Sequence, residues 1–146
     1  TREAAAFESI FHDIEPTAPF KTVRLSVVEA RCVSKISPKR DLRLASLFSP
    51  DLKSLGIART DLIETPKSTY DQTAKWAQAI HAARPNIDGL IWTSRQCDPA
   101  RCIILFGDRV TEADFNVKEC IPVKSDRAIL LQLRSYGRRA GIDIIV

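Results

Sequence analysis

Residues 70–108 read YDQTAKWAQAIHAARPNIDGLIWTSRQCDPARCIILFGD, and this stretch decides the fold. Thr69 stands at an N-cap position with Gln72 three residues on, the spacing of a capping box. Ala74, Trp76, Ala77, Ala79, Ile80 and Ala83 then continue a run of mostly good helix formers. Pro85 and Asn86 predict its end. Gly89 opens a short apolar run, Leu90-Ile91-Trp92-Thr93, rich in β-formers. Ser94 and Arg95 follow it directly, then a polar loop over 96–100, then a second apolar run, Cys102 to Phe106, closed by Gly107-Asp108. Helix, buried strand, polar loop and second strand form one continuous unit.

Ser94 is the first candidate functional residue. It lies at the exit of a predicted buried strand, where loops carry binding groups on a rigid support. A serine there also caps a turn through its own hydroxyl, and the residues alone leave both readings open.

Outward from this unit, residues 1–14 predict a helix, with Ala4, Phe7, Ile10, Phe11 and Ile14 on one face. Glu8 lies on the border of that stripe, and His12 is one turn on, within side-chain reach. A solvated border glutamate or a Glu-His surface pair accounts for this as readily as a site does. Pro16 and Pro19 end the helix. Residues 22–35 alternate in part, with Val23, Leu25 and Val27 against Arg24 and Ser26, and predict a half-buried strand. Residues 41–48 predict a second strand, joined to the first as a hairpin across Ser37-Pro38-Lys39. Ser49-Pro50 predicts a short helix stopped by Gly56. Residues 57–68 predict a loop with a short strand. Beyond the central unit, 109–123 carries only weak signals. Asp126 predicts the cap of a helix over 127–140 with Ile129, Leu130 and Leu133 inward. Its Arg134, Arg138 and Arg139 suit the negative end of the helix dipole. Gly141 stops it, and 142–146 predicts a last strand. The short, hairpin-like strand spacing predicts an α/β (α+β) fold with a twisted, mostly antiparallel sheet and surrounding helices.

The length of 146 residues suits one domain with a real core. Apolar and charged fractions of 45% and 27% are ordinary for a globular chain. No apolar run is long enough for a membrane span, and no secretory pattern opens the chain. The net charge of +4 permits a nucleotide or acidic partner without indicating DNA. A nucleic-acid surface through Arg134, Arg138 and Arg139 competes with an ordinary solvated face. Cys32, Cys97, Cys102 and Cys120 fit neither a zinc nor a redox spacing, and His12 and His81 add no ligand set, so no metal is expected. The cysteines read as reduced thiols of a cytoplasmic protein. The chain opens on Thr1 and contains no methionine, so a processed or cut piece of a longer protein is expected.

Tyr70, Ala74, Ala77, Ile80, Asp88-Gly89-Leu90-Ile91, Ser94-Arg95 and Leu105-Phe106 together resemble the RES domain, a family named for an Arg, a Glu and a Ser. The stretch Arg2-Glu3-Ala4-Ala5-Ala6-Phe7-Glu8 resembles the segment carrying the family Glu. The resemblance implies an ADP-ribosyltransferase-like fold and a bacterial toxin that degrades NAD by phosphorolysis or hydrolysis, releasing nicotinamide. It implies Glu8 and Ser94 as catalytic residues, with Arg95 and Tyr70 binding substrate. NAD would be a substrate, with no cofactor, and an Xre-type antitoxin the partner, with nucleic acid reached only through it. Residues 1–146 would then be a single RES-like domain without the family's N-terminal Arg-bearing part. A non-catalytic nucleotide- or protein-binding module of the same fold, or an ADP-ribosyltransferase acting on a protein, are the alternatives. If Glu8 and Ser94 serve one site, both are expected to line the same pocket.

Overall fold

The structure is a computed structural model that describes residues 1–146, the side chain of Lys67 excepted. It is a mixed α/β fold in two compact units, one of residues 1–37 with 116–146, the other of residues 38–115.

In the first unit, α1 (Arg2–Phe7) starts at Thr1, whose Oγ accepts from the Ala4 amide at 3.1 Å. Regular helix stops earlier than the apolar stripe predicts. Glu8 is the C-cap, and the amides of Ser9, Ile10 and Phe11 all turn onto the Ala6 carbonyl at 2.9–3.4 Å. This tightened end lets Phe11 bury beside Phe7, with ring centroids 5.4 Å apart. The predicted strand over 22–35 is in fact three elements: β1 (Thr22–Arg24), α2 (Leu25–Glu29) and β2 (Cys32–Pro38). The residue that α2 buries completely is Val28, out of phase with the alternation. β2 pairs with β6 (Phe115–Pro122), a strand arising from the weakly signalled region. α6 (Arg127–Arg139) follows the prediction closely. Asp126 caps it, accepting from the Ala128 and Ile129 amides at 2.8 and 3.0 Å. It buries Ile129, Leu133 and Gly137. A Cβ on Gly137 would lie 2.8 Å from the Ile142 carbonyl oxygen and 3.3 Å from the Phe11 ring. Gly141, at φ +72°, turns the chain into β7 (Asp143–Ile145), which runs parallel to β1. Arg2 to Gln132 (2.6 Å) and Arg139 to Glu3 (2.9 Å) join α1 to α6.

The second unit is built on β3 (Leu44–Ser46), β4 (Gly89–Thr93) and β5 (Arg101–Leu105) in that order. β4 runs parallel to β3 and antiparallel to β5. The expected hairpin is therefore not formed: β3 takes β4 as its neighbour and β2 takes β6. A Cβ on Gly89 would stand 2.0 Å from the Ile104 carbonyl oxygen, so only glycine fits the approach of β5 there. Leu47, Leu52, Leu62 and Leu90 form the core, with Ala77, Ile80, Trp92 and Phe106 packed on it. Leu52 comes from α3 (Ser49–Ser54), which ends at Gly56 with φ +70°. Leu62 comes from α4 (Arg59–Leu62), where the sequence predicts only loop and strand. α5 (Tyr70–Ala83) has the predicted limits, but no Thr69 cap forms: its hydroxyl donates to the Pro66 carbonyl at 2.8 Å.

Candidate functional site

The end of β4 carries the candidate loop. Ser94 is fully buried, at 0% exposure. Its Oγ accepts from the amides of Gln96 (3.0 Å) and Cys97 (2.8 Å), and its own amide donates to Ala100 at 2.8 Å. Ala100 in turn donates to the Cys97 carbonyl. These bonds fold 94–100 back on itself and engage four of its backbone amides. The turn-capping reading of a serine after a strand is thus what the geometry displays. Arg95 is exposed, and its Nη1 donates to the Thr65 carbonyl at 2.8 Å. Tyr70, 40% exposed, is the first residue of α5, and its carbonyl accepts from the Thr73 hydroxyl.

One further residue joins this neighbourhood without any sequence signal. Arg59, at the start of α4, donates through Nη2 to the Thr93 carbonyl (3.1 Å) and through Nε to Glu64 (2.7 Å). It also lines an open depression of about 340 Å³ with Ser49, Leu52, Lys53 and Ile57. An arginine that binds carbonyls leaves no periodicity or spacing to read, which is why it goes unseen.

The opposite end of β4 is fixed by charge. Arg40 grips Asp88 through both guanidinium tips, at 2.8 and 2.9 Å, and the Arg43 amide adds a bond of 2.8 Å. The Arg40 side chain, then the Arg43 amide, hold the Asp88 carboxyl down at about 2. Arg109 completes the frame. Its guanidinium donates to the carbonyls of His81, Arg84 and Ile87 at 2.7–2.8 Å, closing the end of α5, and stacks over Phe106 at 5.2 Å. His81 meets Asp108 at 2.9 Å and the edge of Phe106 at 4.8 Å.

Glu8 belongs to the other unit, half-buried at the end of α1, with its amide donating to Ala4 at 2.8 Å. His12 places Nδ1 3.0 Å from Asp13 Oδ1. Among the described residues, no group of three or more His, Cys, Asp and Glu side chains is arranged to hold a metal ion. No helix among them is long and apolar enough to cross a membrane.

The fold and this strand exit define a mixed α/β protein with a serine-organised, arginine-flanked loop at the end of its central strand. The sequence model of the RES domain matches residues 1–127, and the chain belongs to the RES domain family. At the level of the family this makes it a toxin-like, NAD-related domain. No curated protein and no solved structure matches the chain.

Proposed function

We propose that this RES domain degrades NAD by phosphorolysis or hydrolysis and releases nicotinamide. The supporting observation is the family match over 1–127, a span that takes in Glu8, Tyr70, Ser94 and Arg95 together. In the reaction, the bond between ribose C1′ and the pyridinium nitrogen breaks. Its electron pair goes to nicotinamide, which leaves neutral, while positive charge grows on the ribose. Glu8 is the negative charge that steadies this cation, and phosphate or water then attacks C1′. Ser94 sets the shape of the loop that follows β4, and Arg95 and Tyr70 contact the substrate. NAD is a substrate and no cofactor is needed. The partner is an Xre-type antitoxin, in the cytoplasm, and nucleic acid is reached only through it. Transfer of ADP-ribose to a protein would share the first step and differ in the acceptor.

A non-catalytic binding module is the second reading. The observation that favours it is the burial of Ser94, whose oxygen already serves two amides.

The test is nicotinamide release from NAD by the full-length protein, with and without phosphate. Release is expected, and phosphate dependence separates phosphorolysis from hydrolysis. Glu8→Gln is expected to lower the rate on the order of a hundredfold while the protein stays folded. Turnover by Glu8→Gln at the wild-type rate rejects the assignment, and no release by the wild type favours the binding module.

A further inference from the structure

We infer that Arg59 is a positioning residue, which with Arg95 clasps the loop after β4 to the segment before α5. The two contacts are reciprocal. Arg59, from the segment, donates to the Thr93 carbonyl at the end of β4. Arg95, from the loop, donates back to the Thr65 carbonyl in the segment. Between Thr93, which accepts one bond, and Arg95, which donates the other, lies Ser94, whose hydroxyl gathers the Gln96 and Cys97 amides. Glu64 accepts from Arg59 Nε at 2.7 Å and fixes the guanidinium plane, so that Nη2 is aimed at Thr93. The side chain of Arg59 is only 24% exposed, so water competes weakly for these donors.

A guanidinium is suited to this, because its donors are held in one rigid fork. A lysine ammonium has a single centre and cannot span a carboxylate and a carbonyl in the same geometry. The two arginines act in opposite directions on the same pair of segments, so losing either one opens the clasp. Arg59 further lines the open depression beside α3, so the clasp joins that concave surface to the Ser94 loop. The importance of this loop for turnover rests on the NAD-degrading reading proposed above; the clasp itself does not.

The experiment is native-state hydrogen exchange on the full-length protein, comparing wild type, Arg59→Ala, Arg59→Lys, Arg95→Ala and the double alanine variant. Arg59→Ala is expected to speed exchange of the Gln96 and Cys97 amides about tenfold, the size of one charge-assisted bond. The β4–β5 ladder should keep its protection. Arg59→Lys should not restore the loop. Arg95→Ala should loosen the same amides, and the double variant should add little to the larger single effect, as expected of one coupled device. Unchanged exchange at Gln96 and Cys97 in both single variants overturns the clasp. So does equal loss across the ladder, which would make Arg59 a general stabiliser, or full rescue by lysine. Where NAD is turned over, Arg59→Ala should raise KM about tenfold with kcat within about twofold. A fall in kcat at constant KM would overturn the positioning role.

Discussion

Arg40 and Asp88 meet fork to fork, and through this pair the loop before β3 is bound to the residue that leads into β4. The Asp88 amide donates to the Arg43 carbonyl at 2.6 Å while the Asp88 carboxylate accepts from the Arg43 amide, so the same two residues are bonded in both directions. The Asp88 carbonyl takes the Phe106 amide at 2.9 Å and joins β5 to this node.

Acid should loosen this node. The Asp88 carboxyl titrates at about 2 in the folded chain against an ordinary value of 3.8. A depressed value means stability that is present above the ordinary value and lost as pH falls through the folded one, here between about pH 4 and about pH 2. Asp88→Asn should be less stable than wild type at neutral pH, and the difference should shrink across that window. Urea midpoints measured along a pH series check this. A constant difference down to about pH 2 would contradict it.

Gly89→Ala should be severely destabilising. Its methyl would need the space of the Ile104 carbonyl oxygen, a backbone atom of the adjoining strand that no rotamer change can move. A loss of at least about 3 kcal/mol is expected, read from denaturant unfolding, with the β4–β5 ladder losing exchange protection first.

Arg109→Ala should fray the end of α5. That helix ends without a glycine, at Arg84 before Pro85, and the Arg109 guanidinium takes three of the carbonyls there. Removing it should cost about 1–2 kcal/mol, with helical signal lost in the same unfolding experiment. Arg109→Lys should recover only part, because one ammonium cannot reach three carbonyls in that fork.

Ser94→Ala tests whether the turn depends on its hydroxyl. The Gln96 and Cys97 amides would lose their acceptor, and Cys97 is buried. A loss of about 1–3 kcal/mol is expected. Cysteine labelling should report it, since Cys97 becomes reachable as the turn opens. A labelling rate equal to wild type would show that the turn holds itself without Ser94.

How much the sequence shows depends on how local each signal is. α5, β4, β5, α6 and β7 were legible because long periods, a good cap at Asp126 and stop signals at Pro85 and Gly141 all act within their own segments. The stretch 22–35 misleads because α2 is only five residues long, too short for a period of 3.6 to separate from a period of 2. Val27 fits the alternation yet is 39% exposed, while Val28 is the buried one. The partner of β3 was illegible for another reason: β4 lies more than forty residues on, and nothing local to Leu44 names it. Ser94 stands out in the sequence as a residue after a strand, and the turn-capping role that it plays is one of the two readings its position allows. Arg59 and Arg109 were missed because they bind carbonyls, which every residue has.

The two units differ in how the chain supplies them, and this bears on the order of events during synthesis. The unit of residues 38–115 is one unbroken stretch, so all its strands have emerged before the last helix is made. The other unit cannot close until α6 and β7 have been made, because β1 needs β7 and α1 needs α6. On a ribosome the inner stretch can therefore condense first while Phe7, Phe11 and Val28 wait uncovered. Glu8, at the end of α1, would be held only once α6 has been made, so the chain would hold Ser94 in its mature setting well before it holds Glu8.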